Sequence, residues 1–510
     1  MSRALPVSAA WLRTVPLWAL AGAVGVLTGL VRLVGFGPAS DVFGDEVYYW
    51  RIGQSVHSGG FPGFHDGRFF LHPPGYFYLE SGWERLFGAR TDVISGVYEM
   101  RLLNVLLAAL TAAVLVLLMA RVSGSTPASL TVGVLFALDP FALRINGRVL
   151  LETSMMLWVV LGYLVLLPLA GHDPRSRTRP RAAAAGLLFG LAVVTKDVAA
   201  LITVLPLLAA AVFVWQSRRS LPLLAAGCAI VPYGIYVCVV AATGHFQEFW
   251  VAKTYGVRRL LGQIQETGFN SRNAPALSQR VTEGLSNFGS SYVLLALGPL
   301  ALVALLRWGG ASRRLLVLWY LSAGFALTYA VLQGTLEEQE LYLLLVPTMV
   351  VVVLAALRLS ERRTGRPRQR VSIRAVGTVL VLVLALTSSA ITYASGRSQP
   401  DDGYARLRQY MLQHVRTGSR VTSASGSADL VLEDHYRVGR WRTPEDRAKS
   451  KVAYVVVPWR LVEQHYSPFT VRQMRLLTRR GVVLFSFHGR SYGRVALYRL
   501  PVPPTGGHGG

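Results

Sequence analysis

The chain has 510 residues, of which 52% are hydrophobic and only 15% are charged, against about 25% charged residues in a typical soluble domain. This composition excludes a disordered protein and argues against a water-soluble globule of this size. The formal net charge of +25 would by itself suit a nucleic-acid-binding protein.

Apolar runs recur along the first 395 residues and predict a mainly α-helical, polytopic membrane protein with about 11 transmembrane helices. The first run follows Arg3 and Arg13, and no small-residue cleavage site comes after it. We therefore expect an uncleaved anchor rather than a signal peptide. The predicted spans are 15–35, 100–120, 128–144, 149–170, 183–195, 198–215, 221–243, 290–306, 315–333, 341–358 and 374–395.

The apolar stretch 182–215 is interrupted only by Lys196-Asp197. As one helix it would be about 51 Å long, well beyond a hydrocarbon core of about 30 Å. We therefore predict a hairpin that turns at Lys196.

The hairpin also places the arginine-rich connections on one side, where 19 Arg accompany only Asp173 and Glu361. Short arginine-rich loops are typical of the cytoplasmic side. We predict a multi-pass protein of the plasma membrane, with a cytoplasmic N-terminus and an extracytoplasmic C-terminal domain. Because topology explains most of the positive charge, the composition does not indicate a nucleic-acid partner.

The segments outside the membrane suggest the domain organisation. We predict a transmembrane module over 1–395, with its site formed by the outer loops 36–99 and 244–289. A small α/β domain over 396–500 follows, because helix-like and β-rich stretches alternate there. The Gly/Pro-rich residues 501–510 are predicted to be a disordered tail.

Two candidate sites lie in the first outer loop. Asp45 and Glu46 lead into an aromatic stretch that includes Tyr48. A carboxylate in partly apolar surroundings holds its proton more tightly and can act as a general base; alternatively, Asp45 caps a helix. His72 precedes a rigid Pro-Pro pair, and it is either a functional residue or an exposed loop histidine.

Further candidates are cations near the predicted outer helix ends. Arg148 precedes Glu152, Lys196 is at the hairpin turn, and Arg258-Arg259 is in the second outer loop. Ionisable residues in a membrane are functional candidates, since Lys at a helix centre costs roughly 2.5–3.5 kcal/mol. Lys196 could instead extend its amine to the interface. Cations beside acidic groups would suit a lipid-linked phosphate.

The ordered set of motifs over residues 40–360 resembles the GT-C membrane glycosyltransferases, and within them the protein O-mannosyltransferase and lipid A aminoarabinose transferase families. The motifs are Asp45-Glu46 with Pro73-Pro74, Asp139-Pro140-Phe141 with Arg144 and Glu152, Gly190-Leu191-Ala192 with Thr195-Lys196, Phe249-Trp250 with Arg258-Arg259, and Glu338-Gln339-Glu340 with Pro347.

The resemblance implies a transferase that moves a hexose or pentose from a polyprenyl-phosphate donor at the outer face of the membrane. The acceptor would be a protein, a lipid or a cell-wall glycan. Two departures are His72, where aminoarabinose transferases often carry Lys, and Glu152, where they carry Asp. The resemblance implies that Asp45 is the general base, that Glu46 and Glu152 orient the acceptor, and that Tyr48 and His72 lie near the acceptor. The residues implied to bind the donor phosphate are Lys196, Arg148, Arg258 and Arg259. If a divalent metal ion takes part, its implied ligands are Asp45, Glu46, Glu152 and His72.

A phosphate is a good leaving group once nearby cations neutralise its negative charge, whereas an alkoxide leaving group needs a general acid. One base and several cations therefore suit displacement with inversion at the sugar. The main alternative is a transporter or flippase of a lipid-linked glycan, but transporters place their charged groups near the bilayer midplane. A receptor or scaffold is a third possibility and would bring no such residues together.

Overall fold

The fold is mainly α-helical, as predicted, and its strands belong almost entirely to the C-terminal part of the chain. The computed structural model describes residues 15–38, 40–57, 59–65, 67–170, 178–265, 268–269, 274–306, 310–361 and 373–501. The predicted disordered tail 501–510 lies outside these residues except for Pro501.

The helices before residue 399 form one layered bundle. In chain order they are α1 (Leu17–Leu33), α2 (Gly44–His57), α3 (Gly75–Phe87), α4 (Val93–Ser123), α5 (Thr126–Leu138), α6 (Pro140–Asn146), α7 (Leu151–Leu166), α8 (Thr178–Thr195), α9 (Ala199–Phe213), α10 (Ser220–Ala242), α11 (Phe246–Leu260), α12 (Leu277–Leu306), α13 (Ala311–Leu332), α14 (Glu338–Glu361) and α15 (Ile373–Ser398). A two-stranded hairpin, β1 (Gly63–Phe64) and β2 (Gly67–Arg68), lies between α2 and α3.

Six of the described helices are long and apolar enough to cross a membrane: α4, α7 with the 3-10 turn after it, α10, α12, α13 and α14. The bent pair α5–α6, which turns by 62°, would make a seventh span. Helices α1 and α9 are apolar but shorter. A multi-pass membrane protein is thus confirmed, while the count of eleven spans stays a prediction.

The predicted turn at Lys196 is present. Helix α8 ends at Thr195 and α9 begins at Ala199, so the apolar stretch is two helices. Helix α8 packs against α7 and α10. The chain reversal therefore brings Lys196 to the end of α7 that carries Glu152.

The C-terminal region, residues 403–499, is an α/β unit. Its sheet has the strand order β4-β3-β5-β7-β6, in which β3 pairs in parallel with β4 and β5, and β7 pairs antiparallel with β5 and β6. Its elements are α16 (Gly403–His414), β3 (Arg420–Ser423), α17 (Gly426–Leu432), β4 (Arg437–Gly439), α18 (Pro444–Lys449), β5 (Tyr454–Pro458), α19 (Trp459–Glu463), α20 (Val471–Thr478), β6 (Val482–Gly489) and β7 (Gly493–Arg499).

Buried polar contacts join the C-terminal region to the segment before α2. The Asp41 carboxylate accepts from the backbone N–H groups of Val42 and Tyr404, with the Tyr404 contact at 3.1 Å. The Tyr492 hydroxyl donates to the carbonyl oxygen of Val42 at 3.1 Å. One hydrophobic core runs from the helical bundle into α16, α17 and the sheet. The start of α2 is therefore held between the bundle and the C-terminal region.

Candidate active site

A cavity of about 930 Å³ lies where the helix ends of the bundle meet the C-terminal region. Helices α2, α6, α12 and α14 line it from the bundle. The segments after β3 and β5 and the β6–β7 turn line it from the C-terminal region. Residues of the predicted outer loops 36–99 and 244–289 contribute to the wall, so both loops reach this one cavity.

Asp45 lies in the first turn of α2 and lines the cavity. Its carboxylate makes no hydrogen bond or ion pair with any residue that the structure describes. Burial, reinforced by the negative charges of Glu337 and Glu152, raises the pKa of Asp45 to about 7. The group is therefore suited to accept a proton from a ligand near neutral pH.

Glu46, the next residue, is turned away from the cavity and is fully buried. Arg101 binds both carboxylate oxygens at 2.8 Å, and the N–H groups of Phe43 and Val149 each donate at 2.9 Å. Burial alone would raise the pKa of Glu46, but the Arg101 guanidinium outweighs it and holds that pKa below the usual range. The bond to Phe43 also closes the N-terminus of α2 in the manner of a capping box. The helix cap that we considered for Asp45 is thus provided by Glu46.

Glu152 and Lys196 form an ion pair behind the cavity wall. Glu152 is 1% exposed and Lys196 is 15% exposed, and neither is among the residues lining the cavity. Both act on the pKa of Asp45, Glu152 raising it and Lys196 lowering it. The structure therefore brings the two residues near Asp45 but pairs them with each other.

The two arginines of α11 differ. Arg259 lines the cavity, and its Nη2 lies 2.5 Å from Glu337 Oε1. Arg258 is exposed and does not line the cavity. Of this pair, only Arg259 is placed to contact a ligand in the cavity.

Arg148 lies in the cavity wall between α6 and α7 and is almost completely buried. It shares the Glu338 carboxylate with Arg144, at 3.8 Å for Arg148, and its guanidinium lies over the Phe43 ring at 5.1 Å. The side chain is thus fixed on the side of the cavity that faces the C-terminal region.

Tyr48 and His72 both line the cavity. The Tyr48 ring packs on Phe64 and Phe69, with ring centroids 4.1 and 5.4 Å apart. Burial lowers the pKa of His72 well below its usual value, and the positive charges of Lys196, Lys253 and Arg259 add to the effect. His72 therefore offers a neutral imidazole where a lysine would offer a charge.

The four candidate metal ligands do not form a metal site. Arg101 and two backbone N–H groups occupy the Glu46 oxygens, and Lys196 binds Glu152. No three His, Cys, Asp or Glu side chains of the described residues are arranged to hold an ion. The donor set around Asp45 thus does not fit a resident divalent metal.

Several residues of the site were not among the predicted ones. Glu337 pairs with Arg259 beside Asp45, and Lys253 joins two turns next to the cavity. Ser427 and Arg460 line the cavity from the C-terminal region. The quoted motif Glu338-Gln339-Glu340 pointed to the start of α14, but no sequence signal linked the C-terminal residues to the bundle.

Comparison with known proteins gives a partial family match and a match in fold. The family model for dolichyl-phosphate-mannose-protein mannosyltransferases matches residues 77–254, about a third of the chain. No curated protein sequence matches the chain significantly.

Two of the solved structures that resemble this chain match over 94% of it. One is ArnT from Cupriavidus metallidurans bound to undecaprenyl phosphate, with 14% identity, a TM-score of 0.58, and coverage of 94% of this chain and 97% of that chain. The other is the Archaeoglobus fulgidus oligosaccharyltransferase in complex with Zn and sulfate, with 14% identity, a TM-score of 0.55, and coverage of 94% of this chain and 73% of that chain. At this level of identity the likeness concerns the fold.

The fold, the family segment and the ordered motifs agree with one another. Together they show that this chain is similar to the protein O-mannosyltransferases over residues 77–254 and shares its fold with ArnT and the oligosaccharyltransferase.

Proposed function

We propose that the protein transfers a sugar from a polyprenyl-phosphate donor to an acceptor hydroxyl at the outer face of the cell membrane. The observation that carries the proposal is Asp45, a carboxylate in a large cavity that bonds to none of the described residues and has a pKa of about 7. Arg259 in the same cavity supplies a positive charge for the donor phosphate. The likeness to ArnT, which binds undecaprenyl phosphate in its solved structure, supports the donor class.

In the proposed reaction, Asp45 takes the proton of the acceptor hydroxyl as its oxygen attacks the anomeric carbon. The bond from that carbon to the phosphate oxygen breaks, and polyprenyl phosphate leaves with both bonding electrons. Arg259 would stabilise the negative charge that develops on the phosphate. Lys196 is paired with Glu152, so we assign it a supporting role behind Arg259.

The first test is donor turnover by the purified protein. We would supply polyprenyl-phosphate hexoses and pentoses with membrane extract as acceptor, and measure the release of free polyprenyl phosphate. We expect Asp45→Asn to lower the release at least a hundredfold, the lower range for loss of a general base. The matched control is Asp446→Asn, the same change at an exposed site outside the cavity. Absence of release with every donor would instead favour the transporter.

The stereochemistry provides a second test. One base and a phosphate leaving group favour a single displacement, so we expect the anomeric configuration of the product to be the inverse of the donor's. NMR of the product gives the configuration directly. Retention would require a nucleophile on the protein and would contradict the role assigned to Asp45.

A further inference from the structure

The sheet of the C-terminal region has a switch point that opens into the cavity. Strand β3 lies between two parallel neighbours, β4 and β5, so the strand order reverses next to it. In open α/β sheets, ligands bind outside the carboxyl ends of the strands at such a point. The segments that follow β3 and β5 here, Ser425–Ser427 and Arg460–Leu461, both line the cavity.

This crevice is adjacent to the candidate base. A Cβ atom added at Gly44 would lie 3.2 Å from Ser427 Oγ, and Gly44 directly precedes Asp45. Helix α17, which follows the crevice loop, packs against α2. A molecule bound in the crevice would therefore reach Asp45 from the side of the C-terminal region.

The crevice is also cationic. Arg144 and Arg148 line the cavity from the bundle, and Arg460 and Arg490 line it from the C-terminal region. Arg144 and Arg148 share one carboxylate, that of Glu338. Asp401 acts on Arg490, and Glu283 also lines the cavity. Among these described residues, four arginines therefore face three carboxylates.

The arginines of the bundle and those of the C-terminal region are close enough for the charge of one to change the pKa of another. Burial lowers the pKa of Arg490, Asp401 opposes this effect, and the positive charge of Arg144 lowers that pKa further. The Nη1 atom of Arg460 donates to the carbonyl oxygen of Arg490 at 2.7 Å, which fixes the direction of the Arg460 guanidinium. Like charges held this near one another indicate a site for an anion.

We infer that the crevice is a second anion site, separate from the donor-phosphate site at Arg259, and that it binds a phosphate group carried by a hydroxyl-rich acceptor. Arginine suits this ligand because its planar guanidinium can form two parallel hydrogen bonds to phosphate. Serine hydroxyls at the crevice can contact sugar or glycerol hydroxyls. The identification of the ligand as acceptor rests on the proposed function, whereas the anion site itself does not.

The test is binding of glycerol 3-phosphate to the full chain in phosphatidylcholine nanodiscs saturated with undecaprenyl phosphate. Saturation fills the donor site, so calorimetry then reports the second site. We expect saturable binding that Arg460→Gln weakens at least tenfold and Arg460→Lys weakens less. Arg472→Gln is the matched control, because Arg472 is an exposed arginine of the same region outside the cavity.

Two results would overturn the inference: loss of glycerol 3-phosphate binding on saturation with undecaprenyl phosphate, or equal binding by the wild type and Arg460→Gln. Glycerol serves as the neutral control and should not bind. Nanodiscs containing phosphatidylglycerol distinguish the source of the phosphate, since competition indicates a lipid headgroup and its absence indicates a soluble glycan. A protein that binds as described but releases no polyprenyl phosphate would keep the anion site and remove the proposed function.

Discussion

Asp45 and Glu46 are adjacent carboxylates whose surroundings differ because successive helix positions point about 100° apart. Asp45 faces the cavity, where burial and two other carboxylates raise its pKa to about 7. Glu46 faces α4, where Arg101 stabilises its charge. Of these two carboxylates, Asp45 is therefore the one that can exchange a proton with a ligand near neutral pH.

This difference leads to a pH prediction. Asp45 must be deprotonated to act as a base, so sugar transfer should fall as the pH drops below about 7. Glu337 raises the pKa of Asp45 through its negative charge. We therefore expect Glu337→Gln to move the acidic limb of the kcat profile to lower pH.

The matched control is Tyr48→Phe, which alters the cavity wall without removing a negative charge. It should leave the acidic limb of the kcat profile at the wild-type pH. An unchanged limb in Glu337→Gln would show that another group controls the profile. The measurement uses kcat at saturating donor, because Glu337 also pairs with Arg259 and its loss is expected to change donor KM.

Some residues of the site could be predicted from the sequence, and others could not. Asp45 was identifiable because it follows the first apolar run and enters an aromatic stretch. Glu337, which acts on it, is about 290 residues away along the chain. Only the packing of α14 in the bundle brings the two together, and spacing does not encode such a contact.

At the scale of elements, the Glu46–Arg101 pair joins α2 to α4. Both side chains are at most 1% exposed, and removing one partner of a buried pair typically costs about 3–5 kcal/mol. We expect Glu46→Gln to lower the melting temperature and the folded yield in detergent, with activity per folded molecule retained.

The matched control for that substitution is Glu248→Gln on α11, because Glu248 is 57% exposed and pairs with His245 at the surface. Pairs of this kind contribute about 0–1 kcal/mol, so this variant should melt close to the wild type. Similar melting temperatures for the two variants would contradict the structural role of Glu46.

Lys253 connects α11 to two turns beside the cavity. Its Nζ donates to the Leu71 carbonyl oxygen at 3.1 Å and to Asp197 Oδ2 at 2.8 Å. These turns carry His72 and Lys196, while α11 carries Arg259. We expect Lys253→Met to raise the donor KM about tenfold with kcat little changed, because it loosens the helix that presents Arg259.

Lys253→Arg keeps the charge and should restore most of the donor affinity. Arg258→Gln is the control on the same helix, since Arg258 is exposed and outside the cavity. A rise in KM in Arg258→Gln as large as in Lys253→Met would indicate a general effect of charge on α11.

Elements were predictable where hydropathy gives a clear pattern. The break at Lys196 and the later strands β5, β6 and β7 follow from apolar runs of the right length. Strand β3 and helix α17 were missed because they are only four and seven residues long. Contacts of α17 with α2 and α16, and pairing of β3 with β4 and β5, stabilise them, which local propensity cannot show.

At the scale of the whole molecule, α4 relates the two ends of the bundle. Asp92, which caps its N-terminus, binds Arg408 of the C-terminal region at 3.0 Å. Arg121 is in its last turn, and 31 residues of helix extend about 46 Å. This length exceeds a hydrocarbon core of about 30 Å, so we predict that the C-terminal region and the turn after α4 lie on opposite faces of the membrane.

The positive-inside rule then assigns the faces. Arg121 is in the last turn of α4, and Arg218-Arg219 is in the connection between α9 and α10. Arginines at these places favour the cytoplasm for that face. We predict that the cavity and the C-terminal region lie outside. Labelling of single cysteines in intact cells with a membrane-impermeant maleimide tests this orientation.

The native Cys228 and Cys238 lie in α10 and would first be replaced by Ala. Lys449→Cys, at an exposed site of the C-terminal region, should then react in intact cells. Ser217→Cys, exposed between α9 and α10, should react only after permeabilisation. The reverse pattern would place the cavity in the cytoplasm, where a donor presented at the outer leaflet could not reach Asp45.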